Sequence, residues 1–144
     1  MARTGLLRLL LVLVFLMPNL VARAGEISRA DQSAFQEIIN DQIAAFNADD
    51  GLRAYSHAAP VIKQLFPSPD IFMSMVRQGY QPVYRQKSFR FGEVMDDMGR
   101  PAQEVTIVDV NGQTWTAIYS FERQANGSWK ISGCRLVRVP GADV

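Results

Sequence analysis

The chain has 144 residues, of which 48% are hydrophobic and 20% charged, a composition that excludes collagen-like, low-complexity and wholly disordered proteins. The formal net charge is +1, from 15 Lys and Arg against 14 Asp and Glu, so the basic excess of a nucleic-acid-binding surface is missing. One cysteine, Cys134, and one histidine, His57, exclude an intramolecular disulfide and a Cys/His zinc site built by this chain alone.

The first 24 residues have the three parts of a secretory signal peptide. Two arginines lie around the start of an apolar run over residues 6–17, which Pro18 interrupts, and Ala22 and Ala24 occupy the small-residue positions of a cleavage site. An uncleaved membrane anchor is the alternative, but a spanning helix needs about 20 apolar residues. We therefore predict cleavage after Ala24, a mature domain over residues 25–144, and a periplasmic or secreted protein that contacts a membrane only through its signal peptide.

Three amphipathic helices are predicted in the first half of the mature chain, because apolar residues recur there at spacings of three and four. Ser28 followed by Asp31 is typical of a capping box at the start of the first helix. Pro60 is expected to end or bend the second helix. The predicted helices cover residues 28–46, a short segment that contains Leu52 and Tyr55, and the segment from the N-cap Ser68 to Gly79.

From Pro82 onward the apolar period changes to two and the residues become β-branched and aromatic, which predicts an antiparallel meander. Turn signals at residues 96–99 and two Asn-Gly pairs, the strongest short hairpin signal, separate its strands. The four predicted strands lie near residues 87–95, 101–110, 113–124 and 128–139.

The Asn-Gly pairs also predict which side chains share a face of this sheet. A two-residue Asn111-Gly112 loop pairs Val110 with Gln113, and the same counting around the other Asn-Gly pair matches Phe121 with Ser132. The face expected to meet the helices then consists of Phe89, Phe91, Val108, Trp115, Ala117, Tyr119, Phe121, Cys134 and Leu136. The opposite face consists of Arg90, Val105, Ile107, Thr116, Ile118, Glu122, Ile131, Arg135 and Val137.

Two segments carry a resemblance to a known superfamily. The end of the first helix, Ala44-Ala45-Phe46-Asn47-Ala48-Asp49-Asp50, and the closing strand Asn126-Gly127-Ser128-Trp129-Lys130-Ile131 resemble nuclear-transport-factor-2-like proteins. More closely, residues 75–85 and 127–134 resemble an uncharacterised family of small exported bacterial proteins within that superfamily. The resemblance covers residues 30–139 and implies an α+β fold, in which N-terminal helices pack on a curved four-stranded antiparallel meander that forms a cone. It implies no chemistry, because the superfamily includes enzymes, binding modules and assembly domains.

Aromatic residues near the junction of helices and strands are the candidates for ligand binding. Tyr80, Tyr84 and Arg85 are typical of an amphipathic rim that holds an anionic or aromatic ligand, and a rigid crossover with packed tyrosine rings is the alternative. The resemblance implies an apolar pocket at this end of the cone. We expect Tyr80, Tyr84, Trp115 and Tyr119 to line it.

His57 and Cys134 are the candidates for catalysis. His57 is the one side chain whose ordinary pKa lies near neutrality, but a general base needs an orienting carboxylate, and the nearby Asp49 and Asp50 are interpreted as helix-ending residues. A capping or surface role is therefore favoured for His57. Cys134 is interpreted as a buried inert thiol, because apolar surroundings raise the pKa of a thiol. Asp96-Asp97 lacks the ligand spacing of a calcium loop, so no metal site is predicted.

The sequence favours an exported protein that binds a small apolar or aromatic ligand, or a partner protein, without catalysis and without a cofactor. One alternative is a cofactor-free isomerase or hydrolase with His57 as its base, which requires a carboxylate or tyrosine hydroxyl beside His57 inside a pocket. Another is a dimeric interaction module whose cone is filled by aromatic side chains, leaving less than the few hundred cubic ångströms that a ligand needs. Aliphatic residues on the outer sheet face predict a homodimer through that face, with a monomer as the alternative.

Overall fold

The computed structural model of the protein describes residues 26–141, so the predicted signal peptide and its cleavage site after Ala24 lie outside the described residues. Within residues 26–141 every helix is too short or too polar to span a bilayer. The fold class is α+β, as predicted, with helices on the N-terminal side of an antiparallel sheet. The helices are α1 (Arg29–Asn47), α2 (Gly51–Ser56), α3 (Pro60–Leu65), α4 (Pro69–Gly79) and α5 (Gln81–Tyr84).

Capping side chains begin α1 and α4 where the sequence predicts. The Asp31 amide donates to Ser28 Oγ at 3.0 Å, and the Ser28 amide donates back to Asp31 Oδ2 at 3.1 Å, which completes the capping box. The Ile71 amide donates to Ser68 Oγ at 3.2 Å at the start of α4. Local side-chain hydrogen bonds thus fix both helix starts.

Two short helices, α3 and α5, were not predicted from the sequence, and the interpretation of Pro60 was wrong. The helix before Pro60 ends at Ser56, and Pro60 is instead the first residue of α3. Proline suits this position because the first amide of a helix has no intrahelical acceptor. Pro82 takes a similar place near the start of α5, so the strands begin later than Pro82.

The strands form a four-stranded antiparallel meander in the order β1-β2-β3-β4, which confirms the predicted topology. Their bounds are β1 (Gln86–Asp97), β2 (Arg100–Asp109), β3 (Thr114–Arg123) and β4 (Trp129–Arg138). Phe89 and Phe91 lie on the inner face, where they pack against the core as predicted.

The hairpin between β2 and β3 has one residue more in its loop than predicted. The Asp109 amide donates to Gln113 O at 2.9 Å, and the Gly112 amide donates to Asp109 O at 3.0 Å. Gly112 has a φ of 83° whereas Asn111 keeps a negative φ, which is a type I turn followed by a bulged glycine and not the predicted two-residue type I′ turn. Ile107 therefore pairs with Trp115.

This one-residue shift reverses the predicted faces of β2, because side chains alternate along a strand. Val105 and Ile107, predicted on the outer face, are completely buried in the core. Val108, predicted on the inner face, lies on the outer face. The outer face therefore has fewer aliphatic residues than the sequence analysis expected.

The hairpin between β3 and β4 also has a three-residue loop, since the Gln124 amide donates to Ser128 O at 2.8 Å. Phe121 consequently pairs with Ile131 and not with Ser132, and Ile131, predicted on the outer face, is buried in the core. An irregularity in the pairing beyond Phe121 then restores the predicted register, so that Tyr119 pairs with Cys134. The inner positions of Tyr119 and Cys134 are therefore as predicted.

The core lies between α1 and the inner face of the sheet. The Phe35 ring of α1 stacks on Phe121 with centroids 4.2 Å apart and meets the edge of Trp129 at 5.0 Å. The segment between α2 and α3 attaches to the edge of β4, where the Ile131 amide donates to His57 O and the Ala59 amide donates to Ile131 O, both at 2.8 Å. The candidate site is the space that α3 encloses together with α1, α4 and the sheet.

Candidate functional site

A pocket of about 360 Å³ lies between the helices and the inner sides of β3 and β4. Most of its lining is apolar, from residues such as Phe46, Ile62, Phe66, Phe72, Val76 and Ile131. Small-molecule pockets have volumes of about 300 to 1,000 Å³, so this space fits a small ligand. The alternative of a cone filled by aromatic side chains does not predict such a space.

Helical spacing brings part of this lining together. On α1, Gln42 and Phe46 are four residues apart and project from one face, and Phe72 and Val76 do the same on α4. Gln42 is a buried polar residue within the apolar stripe of α1, and its Nε2 donates to Ala54 O at 3.3 Å. Gln42 was not predicted as a site residue, although a polar residue within an apolar stripe was the available signal.

Tyr80, Tyr119 and Cys134 form a polar cluster in the pocket wall, which we call the tyrosine–thiol cluster. The Tyr80 hydroxyl donates to Cys134 O at 2.9 Å. Among the described residues, the buried Tyr119 hydroxyl has no hydrogen-bond partner with normal geometry. Two of the four residues predicted to line a ligand site, Tyr80 and Tyr119, are therefore brought together at the pocket.

Burial disfavours the anionic forms of all three groups in this cluster. It raises the pKa of the Cys134 thiol to about 12, raises the pKa of Tyr119 well above its ordinary value, and raises that of Tyr80 as well. Since the thiolate is the nucleophilic form of cysteine, Cys134 is poorly suited to nucleophilic catalysis. The interpretation of Cys134 as an inert thiol is consistent with this environment.

Tyr84 and Arg85 lie outside the pocket lining, where both bind the end of α1. The Tyr84 hydroxyl donates to Asp49 Oδ1, Arg85 Nη2 donates to Asp49 Oδ2 at 2.9 Å, and Arg85 Nη1 donates to Phe46 O at 2.6 Å. The Tyr84 hydrogen bond, followed by Arg85, lowers the pKa of Asp49. The chain itself thus supplies the anion that this rim was expected to take from a ligand.

Trp115 is also separate from the pocket. Its Nε1 donates to Asp109 Oδ2 at 2.9 Å within the β2–β3 hairpin. The same hydrogen bond, with two from backbone amides of the loop, lowers the pKa of Asp109 against the opposing effect of its burial. Trp115 therefore contacts the hairpin and not the tyrosine–thiol cluster.

His57 does have an orienting carboxylate, which the sequence analysis missed. Its Nε2 lies 2.6 Å from Asp41 Oδ2, and Arg53 Nε donates to the other oxygen of Asp41 at 3.0 Å. Hydrogen bonds from Arg53 and then His57 lower the pKa of Asp41 to about 2. No local spacing links Asp41 to His57, because the carboxylate comes from α1, sixteen positions earlier in the chain.

The Asp41–His57 pair has the geometry of an oriented base but lacks a substrate space, since neither residue lines the pocket. Arg53, Asp41 and His57 instead connect α1 to the end of α2. Within residues 26–141, no group of three His, Cys, Asp or Glu side chains is placed to hold a metal ion. The described pocket lining is therefore uncharged, and the charged residues lie elsewhere.

The fold and the site define a class of protein. It is an α+β domain in which helices pack on an open antiparallel meander and an apolar pocket lies between the helices and the sheet. The chain belongs to the family described as domain of unknown function DUF4864, whose pattern matches residues 28–144. No curated protein matches the chain. The match agrees with the resemblance to an uncharacterised family, and the nuclear-transport-factor-2-like and exported parts of that resemblance stay predictions.

Proposed function

We propose that this protein binds a small, mainly apolar or aromatic ligand, without catalysis, in the pocket between the helices and β3 and β4. The observation that carries the proposal is the space of about 360 Å³ with its apolar lining. Cavities of about 150 Å³ lined by apolar side chains bind benzene, so this pocket has room for a ligand of two fused rings. The proposal needs no cofactor.

The proposal includes an exported location and a cone-shaped domain of the nuclear-transport-factor-2-like kind. The signal-peptide pattern of residues 1–24 supports export. The order of helices followed by a four-stranded meander supports the cone. A ligand taken up outside the cytoplasm is consistent with both.

An isomerase or hydrolase with His57 as its base is the second candidate function. The contact of 2.6 Å between His57 Nε2 and Asp41 Oδ2 favours it, because such a carboxylate orients the ring. The position of His57 outside the pocket lining argues against it. We therefore expect His57→Gln to leave ligand affinity unchanged, and a turnover that His57→Gln abolishes would support the enzyme instead.

Fluorescence titration with the uncharged apolar probe N-phenyl-1-naphthylamine tests the proposed function. Met75 and Ile71 both lie on α4, but only Met75 lines the pocket. We expect the wild-type protein to enhance probe fluorescence, Met75→Trp to weaken binding at least about tenfold by filling the space, and Ile71→Trp to stay within about twofold. Circular dichroism establishes that both variants fold.

Two results contradict the proposal. One is a wild-type protein that does not bind the probe, and the other is equal binding by Met75→Trp and Ile71→Trp. Native mass spectrometry of the protein purified from its expression host provides a second measurement, in which we expect a retained small molecule that Met75→Trp loses.

A further inference from the structure

The tyrosine–thiol cluster contains one hydroxyl, that of Tyr119, whose one neighbouring partner among the described residues is the thiol of Cys134. The Tyr119 side chain is 1% exposed, and its hydroxyl has no partner of normal geometry within residues 26–141. Its neighbour, the Cys134 thiol, is a weak acceptor and a weak donor. A buried hydroxyl without a good partner is uncommon because its lost hydration is not replaced.

The other polar groups of the pocket differ from Tyr119 because each already donates to the backbone. The Tyr80 hydroxyl donates to Cys134 O at 2.9 Å, and Gln42 Nε2 donates to Ala54 O at 3.3 Å. Tyr119 lies on the central part of β3, between Gln103 of β2 and Cys134 of β4. The sheet thus fixes the backbone of Tyr119 on both sides, and Tyr119 is one of the residues that line the pocket.

The pocket also limits the charge of its occupant. Its lining includes no Asp, Glu, Lys, Arg or His within residues 26–141, so a ligand charge would be buried without a counter-charge, at a large cost in free energy. Burial raises the pKa of both Tyr119 and Cys134, because low polarity around them disfavours anions. The same low polarity disfavours a carboxylate or phosphate on the ligand.

We propose that the pocket takes an uncharged, mainly apolar molecule with a hydrogen-bond acceptor, such as the oxygen of an aryl ketone, an ester or a quinone, and that the Tyr119 hydroxyl donates to this acceptor. This inference rests on the proposed function and specifies the ligand class. Apolar side chains bind the rings, and the Tyr119 hydroxyl, whose partner is otherwise a weakly accepting thiol, selects and orients the acceptor. A buried donor whose good partner is the ligand selects for ligands with an acceptor, because a ligand without the acceptor leaves the donor unpaired.

Three matched naphthalenes test the inference by displacement of N-phenyl-1-naphthylamine. They are the ketone 2-acetylnaphthalene, the hydrocarbon 2-ethylnaphthalene of similar shape, and the anion 2-naphthoate. Each is measured with the wild-type protein, with Tyr119→Phe, which removes only the hydroxyl, and with Tyr55→Phe as the control. Tyr55 donates to Phe66 O at 2.6 Å and does not line the pocket.

We expect Tyr119→Phe to weaken ketone binding about tenfold while hydrocarbon binding is unchanged or tighter. We expect Tyr55→Phe to leave the ratio of the two affinities at its wild-type value. We also expect 2-naphthoate to bind the wild type at least about tenfold more weakly than the ketone. The carbonyl stretching band of the bound ketone should lie at lower wavenumber in the wild type than in Tyr119→Phe.

If the hydrocarbon displaces the probe but Tyr119→Phe leaves the ketone-to-hydrocarbon ratio unchanged, the inference is overturned and the proposed function stands. A water molecule bound permanently to Tyr119 would give that result. Tight binding of 2-naphthoate also overturns the inference. Failure of all three molecules and of the probe to bind the wild type overturns both.

Discussion

Asp41 has an environment that its neighbours in the sequence do not indicate. It lies on the half-exposed side of α1 and contacts Arg53 and His57, which follow much later in the chain. Arg53, followed by His57, lowers the pKa of Asp41 to about 2, against an ordinary value of 3.8. A carboxylate whose pKa is lower in the folded protein stabilises the fold above its unfolded-state pKa, and this stabilisation is lost as the pH falls through the folded-state value.

We expect Asp41→Asn to reduce the acid dependence of stability. The wild-type free energy of unfolding should fall between about pH 4 and pH 2 as Asp41 is protonated, and the variant should be less stable at pH 7 and lose less over that interval. Urea unfolding at several pH values measures this difference. Asp31, Asp49 and Asp109 also have lowered pKa values, so part of the dependence persists in the variant.

Glu37→Gln, on the exposed part of the same helix, is the control for this experiment. We expect it to keep the wild-type change in stability between pH 4 and pH 2. An Asp41→Asn variant whose pH dependence matches that of the wild type would show that the contacts with Arg53 and His57 contribute nothing to the stability of the fold.

Among the hairpins, the β1–β2 turn uses a backbone geometry that its sequence does not favour. Met98 and Gly99 have φ values of 56° and 84°, and Asp97 pairs with Arg100 across them, as in a two-residue type I′ turn. The two Asn-Gly pairs, which suit that turn best, instead lie in three-residue loops. Met98 is 96% exposed, so no packing compensates for its left-handed conformation.

We expect Met98→Asn to raise the free energy of unfolding by about 0.5–1 kcal/mol, because asparagine adopts positive φ more readily than methionine. Val110→Asn is the matched control, since Val110 is an exposed hairpin residue with negative φ, and we expect a change within about 0.5 kcal/mol. Urea unfolding measures both. A Met98→Asn variant no more stable than the wild type would contradict the strain at this turn.

The packing of α1 on the sheet gives a second prediction at the scale of elements. Ile39 is completely buried on α1, whereas Ile71 on α4 is 49% exposed. We expect Ile39→Val to lower the free energy of unfolding by about 1 kcal/mol because it leaves a small cavity, and Ile71→Val to change it by less than about 0.5 kcal/mol. Equal changes for Ile39→Val and Ile71→Val in urea unfolding would show that the packing of Ile39 on the sheet does not stabilise the fold.

Over the whole molecule, α3 is the least buried wall of the pocket. It has no buried residue, and Leu65 is 66% exposed although it lines the pocket together with Ile62. Two attachments hold its ends, the Ala59–Ile131 hydrogen bond to β4 and the hydrogen bond from Tyr55 to Phe66 O. Segments with few buried apolar contacts open locally at low free energy.

We therefore expect the amides of Lys63 and Phe66 to exchange with deuterium at least about tenfold faster than those of Ala117 and Tyr119 in β3. Because a ligand that binds only the closed form stabilises it, N-phenyl-1-naphthylamine should slow exchange in α3 and leave β3 unchanged. Hydrogen exchange followed by mass spectrometry measures both effects. Protection of α3 equal to that of β3 in the free protein would contradict this order of stabilities.

The predicted homodimer depends on the outer face of the sheet, which the structure changes. Val105, Ile107 and Ile131 belong to the core, so Ile118 and Val137 are the aliphatic residues left from the predicted patch. Val137 is 42% exposed. The dimer stays a prediction, with a smaller apolar contact than the sequence suggested. Sedimentation of the wild type and of Val137→Glu measures whether a dimer forms through this face.

Short-range patterns in the sequence determined where the principal elements lie. Ser28 with Asp31 and Ser68 with Pro69 predicted the starts of α1 and α4, and alternating apolar residues predicted four strands whose observed bounds differ by no more than a few residues. These signals depend on groups close together in the chain, such as a side-chain oxygen and an amide three positions later. The sequence alone is therefore sufficient to predict the elements that these local signals begin and end.

Tertiary structure alone decided the faces of β2, the partner of His57 and most of the lining of the pocket. One extra residue in the loop at Asn111-Gly112 exchanged the inner and outer faces of β2. A choice between two similar turns shifts the register by one residue, and this shift moves every side chain of the strand to the other face. Asp41 reaches His57, and Tyr80 reaches Cys134, only after α1, α4 and the sheet have packed. Contacts between residues distant in the chain depend on packing geometry, which local sequence patterns do not specify.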